Sequence, residues 1–207
     1  MASGLGGGSA DAAAVILGIA NEIAQSTSVA EMSALGAKIG ADVPFCLYAC
    51  AAANPSLGYT GTKAALAEGI GEVLTPLQDM GKAWVVLVKP DIEIKTSEIY
   101  ALYDEYISQA GKAADDHRTP AASDNDLEEP CMRACPAVAE TREALKNICR
   151  EEGCGNAKVQ LTGSGPTVFA FFDNDHFGQD SKSSAQKVYD RAKDVFKDCF
   201  VYLTETL

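Results

Sequence analysis

No uninterrupted apolar run in the chain approaches the roughly 20 residues that span a bilayer, and Met1-Ala2-Ser3 carries neither the basic nor the apolar region of a signal peptide. The expectation is a soluble, cytoplasmic protein with no membrane partner. Basic residues are scarce: 17 Lys and Arg stand against 29 Asp and Glu, a net charge of −12. A surface of that sign repels phosphate backbones and anionic lipids, so nucleic acid is not an expected partner either. Paired cysteines are lacking too. Seven is an odd number, no secretory segment accompanies it, and a reducing compartment is expected in place of a disulfide framework. Cys46 with Cys50, and Cys131 with Cys135, have the spacing of half a four-thiolate zinc site. Neighbours on one helix face have it as well, and no resident metal site is assigned. No internal repeat is visible.

What is present begins at Gly4. GLGGGSADAAAV places four glycines in five positions and runs directly into an alanine-rich stretch. Glycine loses the most backbone entropy on ordering, so such a loop needs a reason. Gly4, Gly6, Gly7 and Gly8, followed by a helix capped at Ser9, would turn several unpartnered N–H groups and the positive end of a helix dipole toward an anion. No Gly-Lys-Ser/Thr closes the loop, and it lacks the spacing of a dinucleotide fold.

The 207 residues, 47 % hydrophobic, suffice for one sizeable core or two small ones. Helices are expected at 9–25, with Val15, Ile16, Ile19 and Ile23 at helical spacing, and at 29–39. A hairpin follows around Gly69 and Gly71, then a buried strand AWVVLV at 83–88. Residues 96–107 read as a helix with Ile99, Leu102, Tyr103 and Tyr106 on one side; 111–123 read as a loop; 137–152 and 185–196 read as helices; 157–161, 167–172 and 200–204 read as strands. Residues 104–130 hold eight acids against Lys112 and Arg118, the pattern of a solvated face. The second half could form one antiparallel sheet with helices on one face, an α+β arrangement. The small-residue run at 49–63 reads as a loop longer than its place requires.

The glycine loop resembles the phosphate loop of the GHMP small-molecule kinases, the family of galactokinase, homoserine kinase, mevalonate kinase and phosphomevalonate kinase. Four further stretches keep the order of one branch: GADVPF at 40–45, ALAEGIGE at 65–72, NDLE at 125–128 and LTGSGPTVFAFF at 161–172. That branch phosphorylates a cytidine-diphosphate-linked polyol of isoprenoid-precursor synthesis. The resemblance implies a two-domain kinase fold divided at 1–80 and 81–207, with the first domain incomplete, and ATP with Mg²⁺ as cofactors. It implies that Gly4, Leu5, Gly6, Gly7, Gly8, Ser9 and Ala10 hold ATP phosphates, supported by Gly163, Ser164 and Gly165. It implies that Asp42, in an apolar stretch where a carboxylate is poorly solvated, touches the substrate and is the catalytic aspartate, and that Thr96 and Tyr100, one turn apart, hold the cytosine ring. Packing of Tyr100 in the core is the competing reading. NDLE is assigned to the same cleft by resemblance; spacing does not give its contacts.

In that family a strand and a working lysine precede the phosphate loop. The chain therefore reads as the carboxy-terminal part of such an enzyme, inactive by itself and self-associating through an uncovered first helix. Another GHMP kinase, or a non-catalytic remnant that binds a partner, remain the alternatives.

Overall fold

The computed structural model describes residues 4–23, 26–79, 81–110 and 125–206. These fall into two compact units, one of residues 6–79 and the other of residues 4–5 and 81–206.

The first unit is three helices and a hairpin. Helix α1 spans Gly7–Ile23, so it starts two residues before Ser9, and Ser9 lies inside its first turn instead of capping it. Its buried face is Ala13, Leu17 and Ala20 with Ile16 at the margin, while Val15, Ile19 and Ile23 are 60 %, 54 % and 81 % exposed. The helix is apolar nearly all round, so periodicity alone cannot choose a face. The face that packs is the one whose alanines allow a second helix to come close.

Helix α2 (Val29–Gly36) ends three residues earlier than the pattern predicts. Ser28 starts it with a capping box: its Oγ accepts from Glu31 N–H (3.2 Å), and its own N–H donates to Glu31 Oε2 (2.8 Å). That backbone N–H, then the Ser28 hydroxyl, holds the Glu31 carboxyl below the usual carboxylate range.

Helix α3 (Val43–Ala53) has no counterpart in the sequence reading, which left 49–63 as a loop. Pro44 in its first turn is compatible with a helix start, because the missing N–H would have had no helical acceptor. The alanines at its end are small for a reason: the chain turns through a 3₁₀ turn at Pro55–Leu57 and lies back on the helix, with Thr62 N–H donating to Tyr48 O at 3.2 Å. Val29, Met32, Val43, Leu47 and Ala51 complete the core with the α1 residues. Strands β1 (Ala65–Glu68) and β2 (Val73–Pro76) form the expected antiparallel hairpin.

The second unit is built on a four-stranded antiparallel sheet in the order β4-β5-β3-β6, with β3 at Trp84–Lys89, β4 at Lys158–Leu161, β5 at Val168–Phe172 and β6 at Phe200–Glu205. Register pairs Val86 with Ala170 and Leu203, and Val88 with Val168 and Val201. One face is therefore continuously aliphatic, and it buries against α6 (Pro136–Glu151) and α8 (Ser181–Val195) through Val138, Leu145, Ile148, Ala185, Val188 and Ala192. The opposite face carries Phe200 and Tyr202, 58 % and 52 % exposed. Helix α4 (Thr96–Ala110) is as expected; α5 (Glu128–Ala134) and the single turn α7 (Asn174–Phe177) are additional. The predicted loop at 111–123 lies outside the described residues. Among the described residues no helix is long and apolar enough to cross a membrane.

Candidate active site

In the first unit the site elements are the start of α1 and the start of α3. Gly6 has φ +64°, a left-handed conformation open to glycine, and this turns the chain into α1. The first helical bond runs from Ala10 N–H to Gly6 O at 2.9 Å, so the amides of Gly7, Gly8 and Ser9 lie ahead of the ladder with no helical acceptor. Gly7, Gly8 and Ala10 are exposed. Beside this turn runs Gly40: a Cβ there would sit 3.9 Å from Ser9 Oγ. Two residues further on, Asp42 occupies the position before α3.

Asp42 differs from the sequence expectation. Its apolar neighbours Val43 and Pro44 turn inward and are buried, while Asp42 itself is exposed and well placed to meet solvent or a ligand. Its side chain makes no capping hydrogen bond to α3, which leaves the carboxylate free of the usual structural duty of an aspartate at that position. The hairpin supports it from behind: Gly71, at φ +116°, lies so close to Ala41 that a Cβ would be 2.7 Å from the Ala41 carbonyl oxygen. GADVPF and AEGIGE are thus two sides of one contact.

In the second unit the elements are Gly4, the turn between β4 and β5, and the start of α4. Gly4 has φ +67°, and a Cβ there would overlap the Thr162 carbonyl oxygen and stand 2.7 Å from Thr162 Oγ1 and 3.0 Å from Gly165 O. The first glycine loop therefore begins in contact with the second. Within that turn Thr162 N–H donates to Thr167 O (2.9 Å) and Gly165 N–H to Thr162 O (2.7 Å). Gly165 is buried with its amide committed, and Gly163 is exposed. Ser164, 6 % exposed, shares a 3.0 Å hydroxyl–hydroxyl hydrogen bond with Thr96, the first residue of α4. Tyr100, one turn on, is 53 % exposed, whereas Ile99 beside it is the buried residue at 2 %. The core reading of Tyr100 fails on this point.

Two family models match the chain: GHMP kinases N terminal domain over residues 1–50, and GHMP kinases C terminal over residues 115–198. A 4-diphosphocytidyl-2-C-methyl-D-erythritol kinase of Clostridium acetobutylicum is 34 % identical over 213 residues, covering 100 % of this chain and 68 % of the relative. The chain belongs to this family of GHMP kinases. A relative of the same name from Geobacillus thermodenitrificans is 35 % identical over 91 % of this chain and 59 % of its own length. A solved 4-(cytidine 5'-diphospho)-2C-methyl-D-erythritol kinase superposes with TM-score 0.57 and 26 % identity, over 97 % of this chain and 66 % of that one. The chain spans about three fifths of the length of the first curated relatives it matches, 59 % and 63 %.

Within this GHMP kinase chain, the turn at Gly6–Ala10 and Asp42 both belong to the first unit, with Gly40, two residues before Asp42, beside Ser9. Gly4 with Gly163–Gly165, and Thr96 with Ser164, stand together in the second. Residues that spacing could not interpret are Asn125 and Glu128. The Asn125 amide donates to Leu161 O (3.1 Å) and Gly163 O (2.6 Å), and Glu128 Oε2 accepts from Leu161 N–H (2.9 Å). Their signal was the NDLE motif itself, but its partners lie some 35 residues away and only the fold reveals them.

The cysteine pairs sit one turn apart, Cys46 and Cys50 on α3, Cys131 on α5 and Cys135 at its end. Among the described residues no group of three His, Cys, Asp or Glu side chains could hold a metal ion.

Proposed function

We propose that the protein transfers the γ-phosphoryl group of ATP to the 2-hydroxyl of 4-diphosphocytidyl-2-C-methyl-D-erythritol, in isoprenoid-precursor synthesis. The observation that carries this reading is the free amide set at Gly7, Gly8 and Ser9, one contact away from the loop that presents an uncapped, exposed Asp42. A kinase needs an anion cradle beside a proton acceptor, and little covalent chemistry beyond that.

In this reading the backbone of Gly4–Ala10 holds the nucleotide phosphates, with Gly163 and Ser164 in support and Gly165 shaping the turn. Thr96 and Tyr100 hold the cytosine, where an aromatic face is worth about 1–3 kcal/mol per stacked base. Asp42 orients the 2-hydroxyl and accepts its proton. The hydroxyl oxygen forms a bond to the γ-phosphorus, the bond from that phosphorus to the β,γ-bridging oxygen breaks, and ADP leaves with the electron pair. Magnesium neutralises charge on the transferred group when bound.

Residues 1–80 and 81–207 act as the two domains of this kinase, in the cytoplasm. The exposed row Val15, Ile19 and Ile23 on α1 serves as a self-association surface, since three aliphatic side chains on one helix are costly to leave in water. The test is ATP-dependent formation of the phosphorylated cytidine product by the purified chain, followed by phosphorus NMR, with Asp42→Asn as the comparison. Phosphorylation of homoserine or mevalonate in place of the cytidine substrate would overturn the assignment. Binding of ATP with no transfer to any of the three, both by the chain alone and when it is joined to or mixed with the amino-terminal segment of a full-length relative, would favour a non-catalytic remnant.

A further inference from the structure

We infer that Asn125 is a positioning residue for nucleotide phosphate, acting through the Gly163–Ser164 peptide. The inference rests on the kinase reading above and assigns a part of the phosphate site to a side chain that touches no ligand.

The Asn125 carboxamide is used in full. Its Nδ2 donates to two carbonyls, Leu161 O at 3.1 Å and Gly163 O at 2.6 Å, while Oδ1 accepts from Leu127 N–H at 3.1 Å. The reverse orientation would face an oxygen toward two carbonyl oxygens, so the direction of the amide is fixed by its surroundings. In a trans peptide the C=O and the next N–H point to opposite sides of the chain. Holding Gly163 C=O on the Asn125 side therefore turns the Ser164 N–H away from it. Ser164 is held a second time through the hydroxyl bond to Thr96. Neither Gly163 N–H nor Ser164 N–H has an acceptor among the described residues.

Glu128 makes the grip rigid. Its Oε2 accepts from Leu161 N–H at 2.9 Å, and its Oε1 lies 2.8 Å from Arg142 Nε, an ion pair whose N–H is not aimed in hydrogen-bond geometry. The pair is mostly buried, with side chains 14 % and 25 % exposed. One short segment thus holds both backbone groups of Leu161 and the carbonyl of Gly163. Gly163 has φ +45° and no side chain, so without this grip its peptide could flip. Gly4 O lies 3.6 Å from where a Gly163 Cβ would be, which joins the first glycine loop to the same peptide.

The experiment measures binding of ATP and of inorganic tripolyphosphate, each with magnesium, to the full chain by calorimetry. Asn125→Ala and the near-isosteric Asn125→Asp are compared with Leu145→Val, a core change in α6 that lowers stability without touching the turn. Both Asn125 variants should weaken each phosphate ligand by about 10-fold or more, and the Michaelis constant for ATP should rise while that for the cytidine substrate changes little. Leu145→Val, even at an equal loss of melting temperature, should bind as the parent does. Asn125→Asp keeps the size and the Leu127 acceptor, so it answers the question if Asn125→Ala fails to fold. Unchanged tripolyphosphate affinity in a folded Asn125 variant, or an equal loss in Leu145→Val, overturns the inference and leaves the kinase reading intact. A parent chain that binds neither ligand overturns both.

Discussion

Thr96 Oγ1 and Ser164 Oγ lie 3.0 Å apart, a hydrogen bond between residues 68 positions distant in sequence. It ties the first residue of α4, the helix that carries Tyr100, to the glycine turn between β4 and β5. Under the proposed function this bond joins the base pocket to the phosphate turn, which would make the two interdependent. Thr96→Val keeps the shape and removes the bond. The expected outcome is a rise of about 3- to 10-fold in the Michaelis constants for both ATP and the cytidine substrate, with the melting temperature nearly unchanged. Steady-state kinetics with each substrate varied in turn checks it.

Tyr100 should behave differently. Because it is 53 % exposed, Tyr100→Ala leaves no cavity, and stability should change by no more than about 0.5 kcal/mol. The Michaelis constant for the cytidine substrate should rise about 5- to 100-fold, the kinetic equivalent of one lost stacking contact, while that for ATP stays put. Urea unfolding and kinetics on the same preparation separate the two effects.

Gly4 and Gly7 make a discriminating pair. Gly4→Ala places a Cβ onto the Thr162 carbonyl at φ +67°, so the loop must move and both stability and ATP affinity should fall, stability by about 1–2 kcal/mol or more. At Gly7 the backbone is helical and no atom lies within 4 Å of a Cβ, so the protein itself tolerates a side chain there. Gly7→Ala should fold as well as the parent or up to about 1 kcal/mol better, and Gly7→Val should fold too. On the proposed reading ATP affinity should nevertheless drop in both, because the added side chain would occupy the phosphate's approach. Calorimetry beside thermal unfolding gives the two signatures.

Asp42→Asn removes the proton acceptor of the proposed reaction and no helix cap, since the carboxylate makes no capping hydrogen bond. Turnover should fall by roughly 10² to 10⁴ with both Michaelis constants within a few-fold of the parent. Normal turnover by the asparagine variant would remove Asp42 from the mechanism.

The buried thiols set a pH limit. Burial, then the neighbouring Cys154, pushes Cys149 from 9.0 up to about 12, and burial, then Cys135 and Glu128, pushes Cys131 to about 11. A raised folded value means that the native protein keeps the proton after the unfolded chain has released it. This contribution is complete below about pH 9 and is lost as pH rises from there toward the folded values. The urea midpoint of the parent should therefore fall above pH 9, and Cys149→Val should show a shallower fall.

Residue pattern alone determined the hairpin, the central strand β3, helix α4 and the antiparallel character of the second unit. Alternation and helical spacing are local signals, and each of these elements buries one clear face. The five motifs likewise singled out the candidate site residues, because glycines and an aspartate in fixed order are visible in the chain itself. The uncovered aliphatic row of α1 was expected, and Val15, Ile19 and Ile23 are exposed, with Ile16 at the margin of the core; that Ala13, Leu17 and Ala20 form the packed face was not legible, because it depends on α3, which the sequence reading left without a helix. The solvation of Asp42 was also misjudged from its neighbours, since Val43 and Pro44 are apolar in sequence but point away from it in space. Only the tertiary structure decided what Asn125 and Glu128 do. Their partners at Leu161, Gly163 and Arg142 lie 14 to 38 positions away, and a hydrogen bond between side chain and backbone leaves no periodic trace in the sequence.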